Sequence, residues 1–480
     1  MKRLLAYSAV ALLGLAFAPA ALGGGPTMTI GATEDIVKQP DLVAAKAQMD
    51  RLKLAGLRAV RMTQEWAPGQ TEPGGADFDE LKNAVAAAQL DGVQVILSVT
   101  NHGSRTTPLS DQDQSDFATY AANVARALPY VRDYVIGNEP NLNRYWLPQF
   151  GLDGSDVAAP AYESLLAKTY DALKAVSPKI TVLGGAVSPR GIDRPNTGRD
   201  THSPTAFITD MGAAYKASGR TKPIMDGFAF HPYGDNSSQP PDFQHASSTS
   251  IGLGDYDKLV ALLGSAFDGT AQAGSTLPIV YDEYGVETQI PQAKTRFYDG
   301  REPTTTKPVD PATQGAYYAQ AIALAFCQPN VRGFFLFHSV DETDLDRWQS
   351  GLFYADGTPK TSLAPTRAAV LAARRGVVTH CDGLQLPVKA KLDRPAASNP
   401  RFSFRLTCDI DCTYRARLER LPQHSTTMVK SGRAVGSKPL RVAFPARKLA
   451  PGRYRFTVRV VAPVNPGPPR SLFSAAFRVF

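Results

Sequence analysis

The sequence predicts a (β/α)8 barrel, eight parallel strands each followed by a helix, and after it a small all-β sandwich. Three observations carry that expectation. Eight short apolar runs recur between Met28 and Phe337, separated by segments of helical length. Strands alternating with helices form a parallel sheet, and eight such units fit a closed barrel. After Gly376 the helical pattern ends and apolar and polar residues alternate, the period of half-buried antiparallel strands.

The runs are Met28–Gly31, Ala59–Met62, Val93–Leu97, Tyr134–Ile136, Ile180–Leu183, Gly227–Phe230, Pro278–Tyr281 and Gly333–Phe337. Helices are expected over Asp41–Ala55, Phe78–Leu90, Asp113–Leu128, Tyr162–Val176 and Thr313–Phe326, several opening with the Asp, Ser or Pro that helix starts prefer. A doubly wound open sheet is the alternative. It would place a glycine-rich phosphate turn after the first strand, and "IGATEDIVKQPD" has none. Long insertions rich in Pro, Gly, Ser and Thr follow the fifth, sixth and seventh runs, where they are expected to wall a cleft at the C-terminal end of the barrel.

A chain of 480 residues accommodates two or three domains. The expected division is a signal peptide over 1–24, the barrel over 25–380 and the sandwich over 384–480. Met1-Lys2-Arg3, the apolar stretch to Phe17 and Ala18-Pro19-Ala20 have the charge, length and small residues of a secretory signal, which implies export. No later segment is apolar enough for a membrane helix. Four cysteines fit an oxidising compartment, and nearest-neighbour pairing gives Cys327–Cys381 and Cys408–Cys412. A zinc site is disfavoured by the lack of a CxxC pair.

The net charge of +8 is unevenly spread: residues 384–480 hold 19 Lys and Arg against 4 Asp and Glu, leaving a balance of −7 for the rest. A basic outer domain fits contact with anionic cell-envelope or polysaccharide material. Its bland reading is a solvated surface, with Arg453, Arg455 and Arg459 outward and Tyr454, Phe456 and Val458 inward. No nucleic-acid motif is present.

Polar residues gather at the C-terminal ends of the strands. They are Arg61, Asn101-His102, Asn138-Glu139, His231-Pro232-Tyr233 and Glu283-Tyr284-Gly285. Each alone has a structural reading; together they converge on one pocket. Glu139 and Glu283 are carboxylates on the fourth and seventh strands, remote in sequence and across the barrel from each other. Two carboxyls about 5–5.5 Å apart are what retaining glycoside hydrolysis requires. Strict strand alternation cannot aim both Asn138 and Glu139 inward, so a bulge or twist is expected, with Pro140 holding Glu139 extended.

Over residues 28–375 this ordered set resembles clan A of the glycoside hydrolases, the cellulase-like barrels that include families 5 and 39. The resemblance implies that Glu139 is the acid/base, Glu283 the nucleophile and Asn138 a partner of the sugar 2-hydroxyl. It places Arg61, His102, His231 and Tyr233 around them. It implies an oligo- or polysaccharide substrate, a double displacement on β-linked glycosides, and no cofactor or metal. A monomer is expected. The clan's tryptophan at the end of the eighth strand is missing: the chain reads Phe337-His338. Phe337 or Trp348 replaces it, and Trp66 and Trp146 are further candidate stacking platforms.

Other residues carry blander readings. Asp282 is expected to face the helix shell as a loop anchor, Glu287 is a decoy carboxylate, and His338 is a packed histidine. Asp341 and Glu342 either tune the rim or bind hydroxyls. Two other function classes remain open at this stage. One is a sugar-binding barrel without chemistry. The other is a metal hydrolase using His102, His231 and one of the two Glu residues.

Overall fold

Eight strands close on one another in chain order: β1 (Thr29–Thr33), β2 (Ala59–Trp66), β3 (Gln94–Asn101), β4 (Asp133–Ile136), β5 (Thr181–Val187), β6 (Gly227–Phe230), β7 (Ile279–Tyr284) and β8 (Val331–Phe337). Every pairing is parallel, including β8 with β1. The computed structural model describes residues 24–398, 401–445 and 449–479. Residues 1–23 of the expected signal peptide lie outside the described residues. Among the described residues no helix is long and apolar enough to cross a membrane.

Around the barrel run α1 (Leu42–Leu54), α2 (Gly75–Asp91), α3 (Asp111–Ala127), α4 (Ala158–Val176), α5 (Pro204–Ala217), α6 (Tyr256–Phe267), α7 (Pro311–Cys327) and α8 (Leu363–Arg374). Side-chain caps set several starts: Asp41 accepts from the Ala44 amide, Ser110 from Asp113, Ser203 from Ala206 and Asp310 from Thr313.

The barrel interior is filled by Ala59, Ile96, Val135, Leu183, Ala229, Val280 and Phe335. Phe335 needs the space that Gly31 leaves on the neighbouring strand, since a Cβ there would come within 2.6 Å of its ring. Polar side chains occupy the layer above, at the strand ends.

Beyond α8 two antiparallel sheets form. The first contains β9 (Ala390–Leu392), β10 (Ala396–Ser398), β11 (Arg401–Cys408) and β14 (Leu440–Pro445). The second contains β12 (Cys412–Leu421), β13 (Ser425–Ala434), β15 (Gly452–Val461), β16 (Arg470–Phe473) and β17 (Phe477–Val479). They face each other through Phe404 and Phe444 on one sheet and Phe456 on the other, with ring centroids 4.8 and 5.4 Å apart. Tyr454, Phe456 and Val458 are buried, while Arg453 and Arg459 are exposed, as the alternation predicts. Both expected disulfides, Cys327–Cys381 and Cys408–Cys412, are formed. The sandwich is tied to α8 by Arg375, whose Nη2 lies 2.6 Å from Asp411 Oδ2.

Candidate active site

Glu139 and Glu283 meet at the C-terminal mouth of the barrel. With His231 they present ligand atoms that all lie within 4.8 Å of one another. Both carboxylates are largely buried, at 14% and 10% side-chain exposure.

Glu283 ends β7. Arg61 Nη1 donates to its Oε1 at 2.7 Å and the Tyr233 hydroxyl donates to its Oε2 at 3.0 Å. The other arm of the guanidinium, Nη2, donates to Asn138 Oδ1 at 3.0 Å. Arg61 is therefore a buried hub, not a surface cation. Burial pushes the Glu283 carboxyl up; His231 and Arg61 pull it down, and Glu139 and Asp282 add to the rise.

Glu139 reaches the site by a device that differs from the sequence expectation. β4 stops at Ile136, Gly137 turns the chain at φ 83°, and Glu139 itself has φ 41°. Pro140 therefore does not hold Glu139 extended, and the bulge is not in β4. It lies in β5, where the register shifts between Gly185 and Val187. Ala186 there has φ 47°, and its carbonyl accepts the Glu139 amide at 2.8 Å. The two strained residues hold each other through that bond. The buried Tyr162 hydroxyl braces the same place, donating to Ile136 O and accepting from the Gly185 amide, each at 2.7 Å.

His231 follows β6. Its Nδ1 lies 3.0 Å from Glu139 Oε1 and 3.5 Å from Glu283 Oε2, and its Nε2 lies 3.4 Å from Asp282 Oδ1. Burial disfavours the imidazolium, but Glu283 and Asp282 outweigh it and raise His231 to about 10. Asp282 corrects a second expectation: it faces Arg61 and His231 inside the barrel and does not anchor a loop in the helix shell.

The aromatic candidates divide. Trp348 and Phe337 both pack on Tyr233, with ring centroids 4.9 and 6.1 Å away. Trp348 is half-buried and its amide donates to Glu342 Oε2 at 3.0 Å. Trp66 and Trp146 cannot stack on a substrate, because both are fully buried in the shell. Trp66 lies against Phe117 of α3, and Trp146 against Tyr162 of α4. Apolar area outweighed the pull of a polar mouth, and both rings went to the strand–helix interface. His102 also lies apart from the cluster. It is 72% exposed on the rim and contacts Glu65.

Asp341 is buried against Lys360 Nζ at 2.7 Å and the Tyr298 hydroxyl at 2.8 Å, so it supports the rim from behind. His338 lies between Glu34 and Glu342, 3.6 Å from each. Tyr145 is a group that strand-end reasoning passed over. Burial and the charges of Glu139 and Glu283 push its phenol up, while Arg144 and Arg61 oppose them. The signal was an aromatic residue six positions after Glu139 in "NEPNLNRYW".

The insertions after β5, β6 and β7 wall the mouth as expected. Beside Tyr233 they enclose a cavity of about 360 Å³ lined by Arg190, Arg199, Asp235, Glu287, Thr305 and Trp348.

Glu139, His231 and Glu283 have metal-like spacing but not metal-like chemistry. The imidazole is held protonated and an Arg guanidinium occupies Glu283 Oε1. A cation would have to displace both positive charges. His102, the second imidazole such a site would use, is turned to Glu65 on the rim.

Comparison with known proteins gives a family and a fold. The family model Cellulase (glycosyl hydrolase family 5) matches residues 24–294. Among solved structures, a family 39 glycoside hydrolase from the gut symbiont Bacteroides cellulosilyticus WH2 superposes with a TM-score of 0.51 at 16% identity, covering 88% of this chain and 81% of that one. A glucosidase from Croceicoccus marinus gives 0.50 at 12% identity, covering 88% and 94%. A GH5_18 from Streptomyces cattleya in complex with GlcNAc gives 0.50 at 17% identity, covering 73% and 81%. At these identities the likeness is one of fold. No curated protein sequence matches the chain.

Proposed function

The chain belongs to the cellulase family, glycosyl hydrolase family 5, and is a glycosidase; from that premise we propose that it cleaves β-linked glycosides with retention, through a covalent glycosyl-enzyme on Glu283. The observation that carries this reading is the approach of Glu139 and Glu283, whose nearest ligand atoms lie within 4.8 Å. Retaining enzymes hold the two carboxyls about 5–5.5 Å apart, whereas inverting ones leave roughly 6.5–9.5 Å for a water.

Hydrogen bonding supports a division of roles. Both oxygens of Glu283 accept from fixed donors, Arg61 and Tyr233, which favours the ionised form a nucleophile needs. The double displacement then requires Glu139 to supply the proton. In the first step a Glu283 oxygen forms a bond to the anomeric carbon, the glycosidic C–O bond breaks, and Glu139 gives its proton to the departing oxygen. In the second step Glu139 takes a proton from water, whose oxygen attacks the anomeric carbon and releases Glu283. In this reading Asn138, oriented by Arg61, bonds the sugar hydroxyl next to the reacting carbon. Tyr233, Phe337 and Trp348 supply the aromatic wall that the eighth-strand tryptophan would otherwise give.

The same reading takes the substrate to be an oligo- or polysaccharide, residues 1–24 to be an export signal, and residues 25–380 and 384–480 to be catalytic and accessory domains. It assigns the basic sandwich to anionic envelope or polysaccharide material.

A panel of aryl β-glycosides and polysaccharides tests the activity, with the anomer of the first-formed product read by proton NMR. A 2-fluoro glycoside of the active sugar should add one sugar mass to the peptide carrying Glu283. Inverted product, or label on Glu287 instead, would overturn the assignment.

A further inference from the structure

Asp282 is fully buried, and each of its carboxylate oxygens faces one cation. Oδ2 lies 3.4 Å from Arg61 Nε and Oδ1 lies 3.4 Å from His231 Nε2. Neither oxygen has another polar partner among the described residues, and neither does Arg61 Nε or His231 Nε2. Other donors of the two cations go to Glu283, Asn138, Ser98 and Glu139. The Asp282 carboxylate thus stands behind the two residues that bond the catalytic pair; it makes no hydrogen bond to that pair, although it precedes Glu283 on β7 and its charge acts on it.

The buried charges can be counted. Arg61 is positive, and so is His231, whose two ring nitrogens each face a carboxylate oxygen and so each carry a hydrogen; Glu139, Glu283 and Asp282 are acidic. The other groups facing this cluster are neutral: Ser98 from β3, Asn138 and Tyr145 from the turn after β4, and Tyr233 after β6. Asp35 also acts on Arg61, but it has Lys38 as its own counter-ion. Five ionised groups would leave one uncompensated negative charge in a low-dielectric site. One proton on the catalytic pair makes the cluster neutral.

We propose that Asp282 is a positioning residue that locks His231 and Arg61 in place and consumes one of their two positive charges, so that the catalytic pair keeps one proton. The proposal rests on the two-carboxylate reading above and adds what sets its proton count.

The substitution Asp282→Asn keeps the shape and removes the charge. The surplus positive charge then favours a second ionised carboxylate, and the pair releases its proton earlier. The basic limb of kcat/KM against pH, measured on whichever aryl β-glycoside the wild type turns over, should move down by about one pH unit. His231→Gln should move it up. The double variant, with both halves of the ion pair gone, should return it to the wild-type position. A lower rate with an unmoved basic limb would make Asp282 merely structural and overturn the proposal. If Asp282→Asn alone does not fold, the double variant decides: a limb away from the wild-type position counts against the charge balance. Carbon-13 NMR of Glu-labelled full-length protein, with the pair assigned through Glu139→Gln, reads the same titration without turnover. A wild type that hydrolyses no glycoside would refute the proposed activity while leaving this measurement to judge Asp282.

Discussion

Arg61 and Glu283 meet at 2.7 Å inside the barrel, and the other arm of the same guanidinium holds Asn138 at 3.0 Å. One planar side chain therefore sets the spacing between the end of β7 and the turn after β4. Lysine carries the charge but cannot bridge two partners in a fixed fork. Arg61→Lys should lower kcat/KM by roughly 100-fold or more, as loss of a preorganised electrostatic contact does. A circular dichroism spectrum and melting point close to wild type would show that the loss is not unfolding.

Trp348 and Trp146 should separate binding from stability. Trp348 lines the cavity beside Tyr233, whereas Trp146 is buried on Tyr162. Trp348→Ala should raise KM about 10-fold with a small change in kcat, the signature of a contact made equally in ground and transition states. Trp146→Ala should instead cost about 3 kcal/mol or more of stability in denaturant unfolding.

His338 makes stability depend on pH. Burial opposes its charge, but Glu34 and Glu342 raise it to about 10. The folded state therefore holds a proton that the unfolded chain, near 6.5, gives up first. The contribution is present in full below about pH 6.5 and is lost as pH rises through about 10. His338→Gln should be less stable than wild type at pH 6, and the gap should close toward pH 10 in melting experiments.

Glu287 gives a pH dependence of the same sign, but through a charge that is unpaired where that of His338 is paired. Burial, then Glu302, push its carboxyl up to about 8, and its Oε2 has no hydrogen-bond partner among the described residues. The unfolded carboxyl ionises near 4.3, so stability falls as pH rises from there to about 8. Glu287→Gln should raise stability at pH 8 by about 2 kcal/mol, with little change at pH 4. An unchanged wild-type pH dependence in the variant would remove Glu287 as its source.

The barrel was legible because its strands are buried on both faces and read as short apolar runs, between helices with side-chain caps at Asp41, Ser110, Ser203 and Asp310. All eight runs became strands, and both disulfides follow from cysteine order. Arg61, Asn138, Glu139, His231, Tyr233 and Glu283 were legible as polar residues at strand ends, where the topology leaves them only one pocket to share.

Local pattern could not supply the direction of a side chain at the end of a strand. That direction depends on how the chain leaves the sheet and on what neighbouring strands offer. Glu139 points inward because the bulge at Ala186 on β5 captures its amide. Asp282 turned inward because two cations from β2 and the loop after β6 await it there, more than a hundred and less than fifty-five residues away respectively. Trp66 and Trp146 turned outward because α3 and α4 bring Phe117 and Tyr162 to cover them. Sequence alone determined which residues stand at the mouth of the barrel; tertiary structure decided which of them face it, since charge and apolar area find their partners only when distant segments meet.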